Sequence, residues 1–229
     1  MQNNNQQRIV SAIVLAGIII AGAVLLKGSK STENTPVTNN NKNLPSSEIK
    51  PVSSSDHILG NMNAKIVIVE YSDLECPYCK IFHTTMHKVA DGNNGKVAWV
   101  YRHYPIAQLH PKAFHEAEAT ECAWEQGGND AFWKYADRIF EVTPSNNGLE
   151  VAELPKIAQY VGLNMASFNT CLNSGKFKDK IQADIDDGTK AGVNGTPSSF
   201  ILVNGKMVDR IPGAQPYEIV KQKVDNALK

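Results

Sequence analysis

Hydrophobic and polar positions divide this chain into an apolar segment, a polar stretch and a part in which strand and helix patterns alternate. Residues 9–26 are apolar or small and carry no charge. Residues 28–56 are rich in Ser, Asn, Thr and Pro and contain almost no large apolar side chains. Across residues 57–229, short β-branched runs and helical spacings predict one folded domain.

A strand, a helix and a second strand open the folded part. Residues 65–71 (KIVIVEY) and 96–102 (KVAWVYR) are β-branched runs that predict strands. Residues 76–90 between them have apolar side chains at helical spacing. The expected buried face of this helix consists of Ile81, Phe82, Met86, Val89 and Ala90. A strand–helix–strand order favours a parallel strand pair, so we predict an α/β sheet.

Helical spacing dominates the middle of the folded part, where turns rich in glycine separate the predicted helices. These helices cover 111–125, 129–141, 150–160, 164–172 and 176–190. Strand patterns return at 199–203 and 207–210, on both sides of Asn204-Gly205, a strong hairpin signal. A last helix is expected over 216–228. The order indicates a helical subdomain, about 108–191, inserted into a small α/β domain.

The segment 9–26 is long enough to cross a membrane once. As a helix it would measure about 27 Å, close to the thickness of the hydrocarbon core. Two interpretations stay open: residues 1–27 form a membrane anchor, or they are a signal peptide cleaved at the small residues 21–23. Both carry the domain out of the cytoplasm, to the cell membrane in the first case and to the secreted fraction in the second. Residues 28–56 would then be a flexible linker.

Composition narrows the classes of function. The chain has 23 basic and 23 acidic residues, so it lacks the excess positive charge that nucleic-acid binding requires. Its four cysteines are too few for a disulfide scaffold of this size. They fit one functional pair and one structural pair.

Cys76 and Cys79 form a Cys-Pro-Tyr-Cys motif that follows the first predicted strand and opens the first predicted helix. A cysteine at a helix N-terminus faces unpaired backbone N–H groups and the positive end of the helix dipole, which favour the thiolate. The thiolate is the form that attacks a disulfide. Cys79 lies one helical turn further and can reach the sulfur of Cys76. We therefore predict that Cys76 is the nucleophile and that Cys79 resolves the mixed disulfide.

A pair of cysteines at this spacing also begins many zinc sites. Cys76, Cys79, His83 and His87 lie on one predicted helix. Such a stripe spans about 16 Å and cannot surround one tetrahedral ion, so we expect no metal there and place both histidines at the surface. A site with two cysteines and one histidine from elsewhere stays open, and with it a metallochaperone that binds metal through Cys76 and Cys79.

Three features favour redox chemistry over zinc. The first is the position of the motif at a strand-to-helix junction. The second is Glu70, near the end of the first strand, which is expected to point inward. Burial would raise its pKa and let it relay protons to or from Cys79. The third is the tripeptide at 195–197 (Gly-Thr-Pro), immediately before the returning strand.

With these motifs, the chain from about residue 57 to its end resembles the DsbA-like thiol–disulfide oxidoreductases of the thioredoxin-fold superfamily. The resemblance implies an α/β, thioredoxin-like fold with an inserted helical subdomain, here preceded by one N-terminal transmembrane helix. No organic cofactor is needed, because the electrons reside on the sulfur atoms.

The resemblance also implies a set of site residues. Cys76 and Cys79 would be the redox pair, and Glu70 would be the buried acid of the family. Pro197 would be in cis and face the pair, and Thr196 before it would line the substrate.

Pro77 and Tyr78, between the two cysteines, are expected to contact substrate as well. Strongly oxidising members of the family have a histidine where this chain has Tyr78. Pro-Tyr resembles glutaredoxins instead, whose reduction potentials are intermediate. We predict a catalyst that forms or exchanges disulfides, with a reductase or isomerase as the alternative.

The expected partners follow from this chemistry. Substrates would be cysteine-containing proteins outside the cytoplasm, and a membrane redox partner would reset Cys76 and Cys79 after each turnover. A tethered domain with an inert Cys76–Cys79 disulfide is a further hypothesis, and it predicts a reduction potential below about −300 mV.

Cys122 and Cys171 lie in the helical block without a second C-x-x-C motif, so a structural disulfide is favoured over two free thiols. A Cys122–Cys171 disulfide would close a loop of about 50 residues, which stabilises the fold by about 4 kcal/mol in the chain-entropy model. The tryptophans expected in the core are Trp99, Trp124 and Trp133. His103 and His110 are expected to be surface histidines.

Overall fold

The computed structural model describes residues 49–229. Its helices are α1 (Pro77–Asp91), α2 (Ala113–Val142), α3 (Glu153–Tyr160), α4 (Met165–Ser174), α5 (Lys178–Lys190) and α6 (Tyr217–Leu228). Its strands are β1 (His57–Leu59), β2 (Ile66–Ser72), β3 (Val97–His103), β4 (Ser198–Val203) and β5 (Lys206–Pro212). The predicted membrane segment, 9–26, lies outside the described residues. From residue 49 to residue 229, no helix combines the length and the apolar character needed for a membrane crossing.

The strands form one mixed sheet in the order β1-β3-β2-β4-β5. β2 and β3 are parallel, as the strand–helix–strand pattern predicted, and the other neighbours are antiparallel. Asn204 and Gly205 both have positive φ, 50° and 76°, and make the predicted turn between β4 and β5. β1 was missed, because three residues are too few to produce a recognisable alternation.

Alternation along β2 separates the two faces of the sheet. Ile66 and Ile68 belong to a large core with residues of α1, α2 and α6. Val67 and Tyr71 belong to a smaller core on the other face, which includes Ala191 at the end of α5. Glu70 therefore shares the α1 face of the sheet, since side chains two positions apart on a strand point to the same side.

The helical block follows β3 and consists of α2 to α5. The sequence predicted two helices over this range, and the backbone confirms the break: α2 consists of two helical parts separated at Gly127 and Gly128, whose φ and ψ are not helical. Gly128 has φ 60°, a conformation that glycine adopts without steric cost. A disulfide between Cys122 and Cys171, with Cα atoms 5.8 Å apart, joins α2 to α4.

The segment 49–56 packs on the domain, so the predicted linker is wrong for these residues. Asp56 is buried and accepts a hydrogen bond of 2.8 Å from Nε of Arg102, itself fully buried on β3. The backbone N–H of Lys50 donates to Asp187 Oδ1 on α5 at 2.7 Å. A polar segment of this kind is held by ion pairs and hydrogen bonds to distant residues, which its own composition does not reveal.

The buried face of α1 differs from the predicted one at two positions. Ile81 is 62% exposed, whereas His83 is buried. Helix α2 covers the side of α1 that carries His83, and the imidazole packs among aromatic rings there. Of the three tryptophans expected in the core, Trp99 and Trp133 are buried, and Trp124 is partly buried against the core.

Candidate active site

The turn after β2 places Cys76 at the N-cap of α1. Its φ and ψ of −77° and 122° are extended, and Pro77 occupies the first helical position, where a backbone donor would have no partner. Both thiols are free, so the structure describes the reduced pair. Cys76 is 5% exposed and Cys79 is fully buried, so a partner can reach only the first thiol.

The helix start makes Cys76 acidic. Its pKa is lowered to about 6, because the thiol of Cys79 and the backbone N–H groups of Cys79 and Tyr78 donate hydrogen bonds to the thiolate. These donors outweigh the burial of the sulfur, which acts in the opposite direction. The lowered pKa favours the thiolate of Cys76 at neutral pH, and the thiolate is the form that attacks disulfides.

Cys79 has the opposite character. Burial raises its pKa well above the ordinary value, and the negative charges of Cys76 and Glu70 raise it further. The backbone N–H of Asp73 lies 3.4 Å from its sulfur. Such unequal acidity suits thiol–disulfide exchange, in which one thiol attacks as a thiolate while the other keeps its proton.

The loop before β4 completes the site. The peptide bond between Thr196 and Pro197 is cis, as expected, and the thiol of Cys76 donates to the carbonyl oxygen of Thr196 at 3.5 Å. Tyr78, beside the pair, is 64% exposed. The fold thus brings together two motifs that are separated by 120 positions in the sequence.

Glu70 lies beneath the redox pair on β2 and is 1% exposed. Its neighbours across the sheet are Tyr101 on β3 and Ser199 on β4. Burial raises its pKa to about 7, and the Cys76 charge acts in the same direction. Within residues 49–229, neither carboxylate oxygen has a hydrogen-bond partner. A carboxyl group with this pKa can donate or accept a proton at neutral pH.

Sequence reasoning missed the two acidic residues that shape the turn before Cys76. Asp73 accepts hydrogen bonds from the backbone N–H of Ile106 at 2.8 Å and from His110 Nδ1 at 2.9 Å. Glu75 accepts from the backbone N–H groups of Gly148 and Leu149 at 3.2 and 3.1 Å. Their place beside the motif was the available signal, since acidic side chains in tight turns often accept backbone N–H groups.

The expectation of surface histidines is wrong at three positions. His110 is buried against Asp73, and His103 is buried and lies 3.1 Å from Glu121. His83 is buried and contacts Asp137, while His87 is half-buried. Each imidazole has a carboxylate partner from a different element, and that pairing allows burial of a polar ring.

Cavities and exposed side chains indicate which kind of partner the site suits. Cavities of about 260 and 620 Å³ in the described domain are lined by residues of the helical block rather than by the redox pair. Tyr78 and Ile81, on the first turns of α1, are large apolar side chains that face solvent. Exposed apolar side chains on the helix that begins at a reactive cysteine suit a macromolecular partner better than an enclosed small molecule.

This arrangement of sheet, helix and paired thiols defines a thioredoxin-fold protein that exchanges thiols and disulfides. The thioredoxin family model Thioredoxin_4 matches residues 53–226, and the chain belongs to that family. Among solved structures, it is similar to DsbA2 of Pseudomonas aeruginosa, with 30% identity, a TM-score of 0.64, and coverage of 77% of this chain and 96% of the other. The protein is thus a thiol–disulfide oxidoreductase of the DsbA family.

A second solved structure has the same fold at lower identity. Oxidised BdbD of Bacillus subtilis is 23% identical, with a TM-score of 0.66, over 78% of this chain and 95% of the other. At this identity the likeness concerns the fold alone. It includes the helical insertion, because the 78% of this chain that is covered corresponds to nearly all of its described residues.

The curated proteins that match this chain are named as sodium/proton antiporters. They include the Na(+)/H(+) antiporter NhaA 1 of Mycolicibacterium vanbaalenii, 30% identical over 156 residues, and NhaA 3 of Salinispora tropica, 34% identical over 151 residues. The matches cover 67% and 66% of this chain, but only 24% and 22% of those proteins. The chain spans about a quarter of the length of these relatives, so the antiport in their names is not carried over to it.

Proposed function

We propose that this chain oxidises thiols of proteins outside the cytoplasm while residues 9–26 hold it at the membrane. The unequal acidity of the two active-site thiols carries the proposal. The lowered pKa of Cys76, about 6, stabilises the reduced pair near neutral pH. A stabilised reduced form makes the disulfide form a stronger oxidant.

The proposed reaction moves two electrons from the substrate to the Cys76–Cys79 disulfide. A substrate thiolate attacks the sulfur of Cys76, the bond to Cys79 breaks, and Cys79 leaves with a proton supplied by Glu70. A second substrate thiolate attacks the mixed disulfide and releases Cys76 as a thiolate. The substrate gains a disulfide, the pair becomes a thiol and a thiolate, and Glu70 recovers its proton from solvent.

The substrate would bind over Tyr78 and against Thr196 and Pro197. The carbonyl of Thr196, 3.5 Å from the sulfur of Cys76, is placed to accept a backbone N–H from an extended segment. Pro77 and Tyr78 would form the other side of this contact. The exposed side chain of Tyr78, two residues after Cys76, favours unfolded or flexible protein segments as substrates.

Two observations support a role outside the cytoplasm. Residues 9–26 have the length and composition of a membrane segment. The Cys122–Cys171 disulfide lies apart from the redox motif, and stable disulfides of this kind are rare in reducing compartments. A membrane redox partner would then reoxidise the pair after each turnover.

The test uses the oxidised full chain and a reduced, unfolded test protein. We expect the test protein to lose two thiols for each Cys76–Cys79 disulfide that is reduced. A Cys76→Ser variant should abolish the transfer, and so should a Cys79→Ser variant, because neither can form the Cys76–Cys79 disulfide that accepts the two electrons. Absence of transfer, together with efficient reduction of test disulfides by the reduced chain, would favour the reductase alternative.

A separate measurement tests the location. A membrane-impermeant thiol reagent applied to intact cells after mild reduction should label Cys76. Labelling only after the cells are lysed would place the domain in the cytoplasm and contradict the proposal.

A further inference from the structure

Helix α1 continues past the redox pair and carries two histidines one turn apart. His83 and His87 are four residues apart, so they lie on the same face of α1. Asp137, on α2, faces both of them. Pairs of histidines at this spacing, joined by a ligand from another element, form zinc sites in many proteins.

Three potential ligand atoms converge in this cluster. His83 Nε2 lies 2.7 Å and His87 Nε2 lies 2.8 Å from Asp137 Oδ1. The two Nε2 atoms are 3.2 Å apart. Around a tetrahedral zinc ion with bonds of about 2.0 Å, ligand atoms lie about 3.3 Å apart. The two imidazoles already have this separation, and the carboxylate would need to retreat by about 0.5 Å to match it.

The surroundings fix one ligand and leave the others adjustable. The side chain of His83 is 7% exposed, and its ring packs against Trp99, at 5.1 Å between centroids, and Phe140, at 4.4 Å. The side chains of His87 and Asp137 are 29% and 45% exposed. An ion can therefore enter from the solvent side, and water can supply the fourth ligand.

A second cluster provides a useful contrast. His57, His103 and Glu121 also converge, but Nζ of Lys180 lies 2.6 Å from Glu121 Oε1. An ammonium group thus stands where a metal ion would bind. Between residues 49 and 229, Asp137 has no such partner, since its ion pairs are with His83 and His87 alone.

We propose that His83 Nε2, His87 Nε2 and Asp137 Oδ1 bind one divalent transition-metal ion, with zinc as the natural occupant. Two imidazoles and one carboxylate form a donor set suited to zinc. The site is distinct from the redox pair, because His83 and His87 lie about 10 to 16 Å along the helix from Cys76. The ion would bind side chains of both α1, which begins at the redox pair, and α2 of the helical block, and so hold the two helices together. This proposal is independent of the direction of the redox reaction.

The test uses the full chain with the Cys76–Cys79 disulfide formed, so that its thiols cannot act as ligands. Zn²⁺ is titrated in competition with a chromophoric chelator, and Co²⁺ serves as a spectroscopic probe. We expect one ion per chain, and visible cobalt bands without a thiolate-to-cobalt charge-transfer band. Zn²⁺ should also raise the melting temperature of the oxidised protein.

His87→Gln and Asp137→Asn remove one ligand each from partly exposed positions, where the fold tolerates the change. Each should weaken the affinity at least about 100-fold and remove the thermal shift. His115→Gln is the matched control, since His115 is a partly exposed histidine that contacts Glu118 on α2. It should bind zinc as the wild type does.

Two results would overturn the proposal. One is that the oxidised chain binds no zinc, or that both ligand variants bind it as tightly as the wild type. The other is that only the reduced chain binds and shows thiolate-to-cobalt charge transfer. That outcome would place the ion on Cys76 and Cys79 and favour the metallochaperone hypothesis.

Discussion

At the scale of single residues, two cysteines of the same type acquire opposite acidity from their positions. Cys76 caps α1 and receives hydrogen bonds from helix N–H groups, whereas Cys79 is buried one turn further. The motif and its place after a strand were sufficient to predict that Cys76 is the more acidic thiol. The value of its pKa also depends on burial and on a hydrogen bond from the Thr196 side chain, which local sequence does not encode.

The lowered pKa of Cys76 predicts a pH profile for alkylation. The rate of reaction with iodoacetamide should follow the thiolate fraction and reach half its maximum at a pH of about 6. The modified peptide can be identified by mass spectrometry, and Cys79 should stay unmodified in native protein. A half-maximum near pH 9, the ordinary value for a thiol, would contradict the assignment.

Glu70 predicts a pH dependence of stability. Its pKa is raised from 4.5 to about 7 in the folded state, so the stability it contributes is present below pH 4.5 and is lost as the pH rises through about 7. Glu70→Gln should remove this loss. Relative to the wild type, the reduced variant should gain up to about 3 kcal/mol between about pH 4.5 and about pH 8.

Urea unfolding at the two pH values gives the free energy of unfolding of both reduced proteins. Comparing the variant with the wild type at each pH, and then one pH with the other, cancels any constant effect of the substitution on packing. A difference that does not change with pH would mean that Glu70 is not the group that titrates.

At the scale of helices and strands, the hydrophobic pattern predicted the type and order of every long element. It placed β2, β3, α1 and the final hairpin within one or two residues of their bounds. It also divided α2 into two helices at Gly127 and Gly128, and both glycines have non-helical φ and ψ in the structure.

Helix α5 approaches the sheet closely at Gly188, a contact that the sequence analysis did not predict. A Cβ atom there would lie 2.7 Å from Tyr71 Cδ1 and 2.8 Å from Tyr104 Cδ2. Gly188→Ala should therefore destabilise the fold by about 1–3 kcal/mol through overpacking. Gln182→Ala, at an exposed position of the same helix, should change stability by less than about 0.5 kcal/mol.

Thermal or urea unfolding of the two variants decides between overpacking and helix propensity. Alanine is the better helix former, so propensity alone would make Gly188→Ala more stable. A stabilised Gly188→Ala variant would therefore contradict the close approach of α5 to the sheet.

At the scale of the whole molecule, a buried arginine joins the segment 49–56, the sheet and the helical block. Arg102 on β3 donates to Asp56 Oδ1 and to Asp187 Oδ2, each at 2.8 Å. Sequence reasoning assigned 49–56 to a linker because the segment is polar and lacks large apolar residues. Only the three-dimensional arrangement brings its aspartate to a buried cation.

Asp56→Ala should therefore lower the free energy of unfolding of the whole domain. Removal of one partner from a buried ion pair costs about 3–5 kcal/mol, and the lower end is expected because Arg102 keeps Asp187. Glu150→Ala is the control, since Glu150 pairs with Lys112 while its side chain is 76% exposed. It should cost less than about 1 kcal/mol by urea unfolding. Equal effects of the two substitutions would show that segment 49–56 does not anchor the fold.

The reduction potential of the Cys76–Cys79 pair tests the proposed function most directly. The full chain is equilibrated with glutathione buffers, quenched in acid, and its free thiols are labelled and assigned by mass spectrometry. This assignment separates the pair from the Cys122–Cys171 disulfide. We predict a potential between about −120 and −180 mV, the range of catalysts that form or exchange disulfides. A potential near −270 mV or lower would contradict the account, since such a pair donates electrons or stays an inert disulfide.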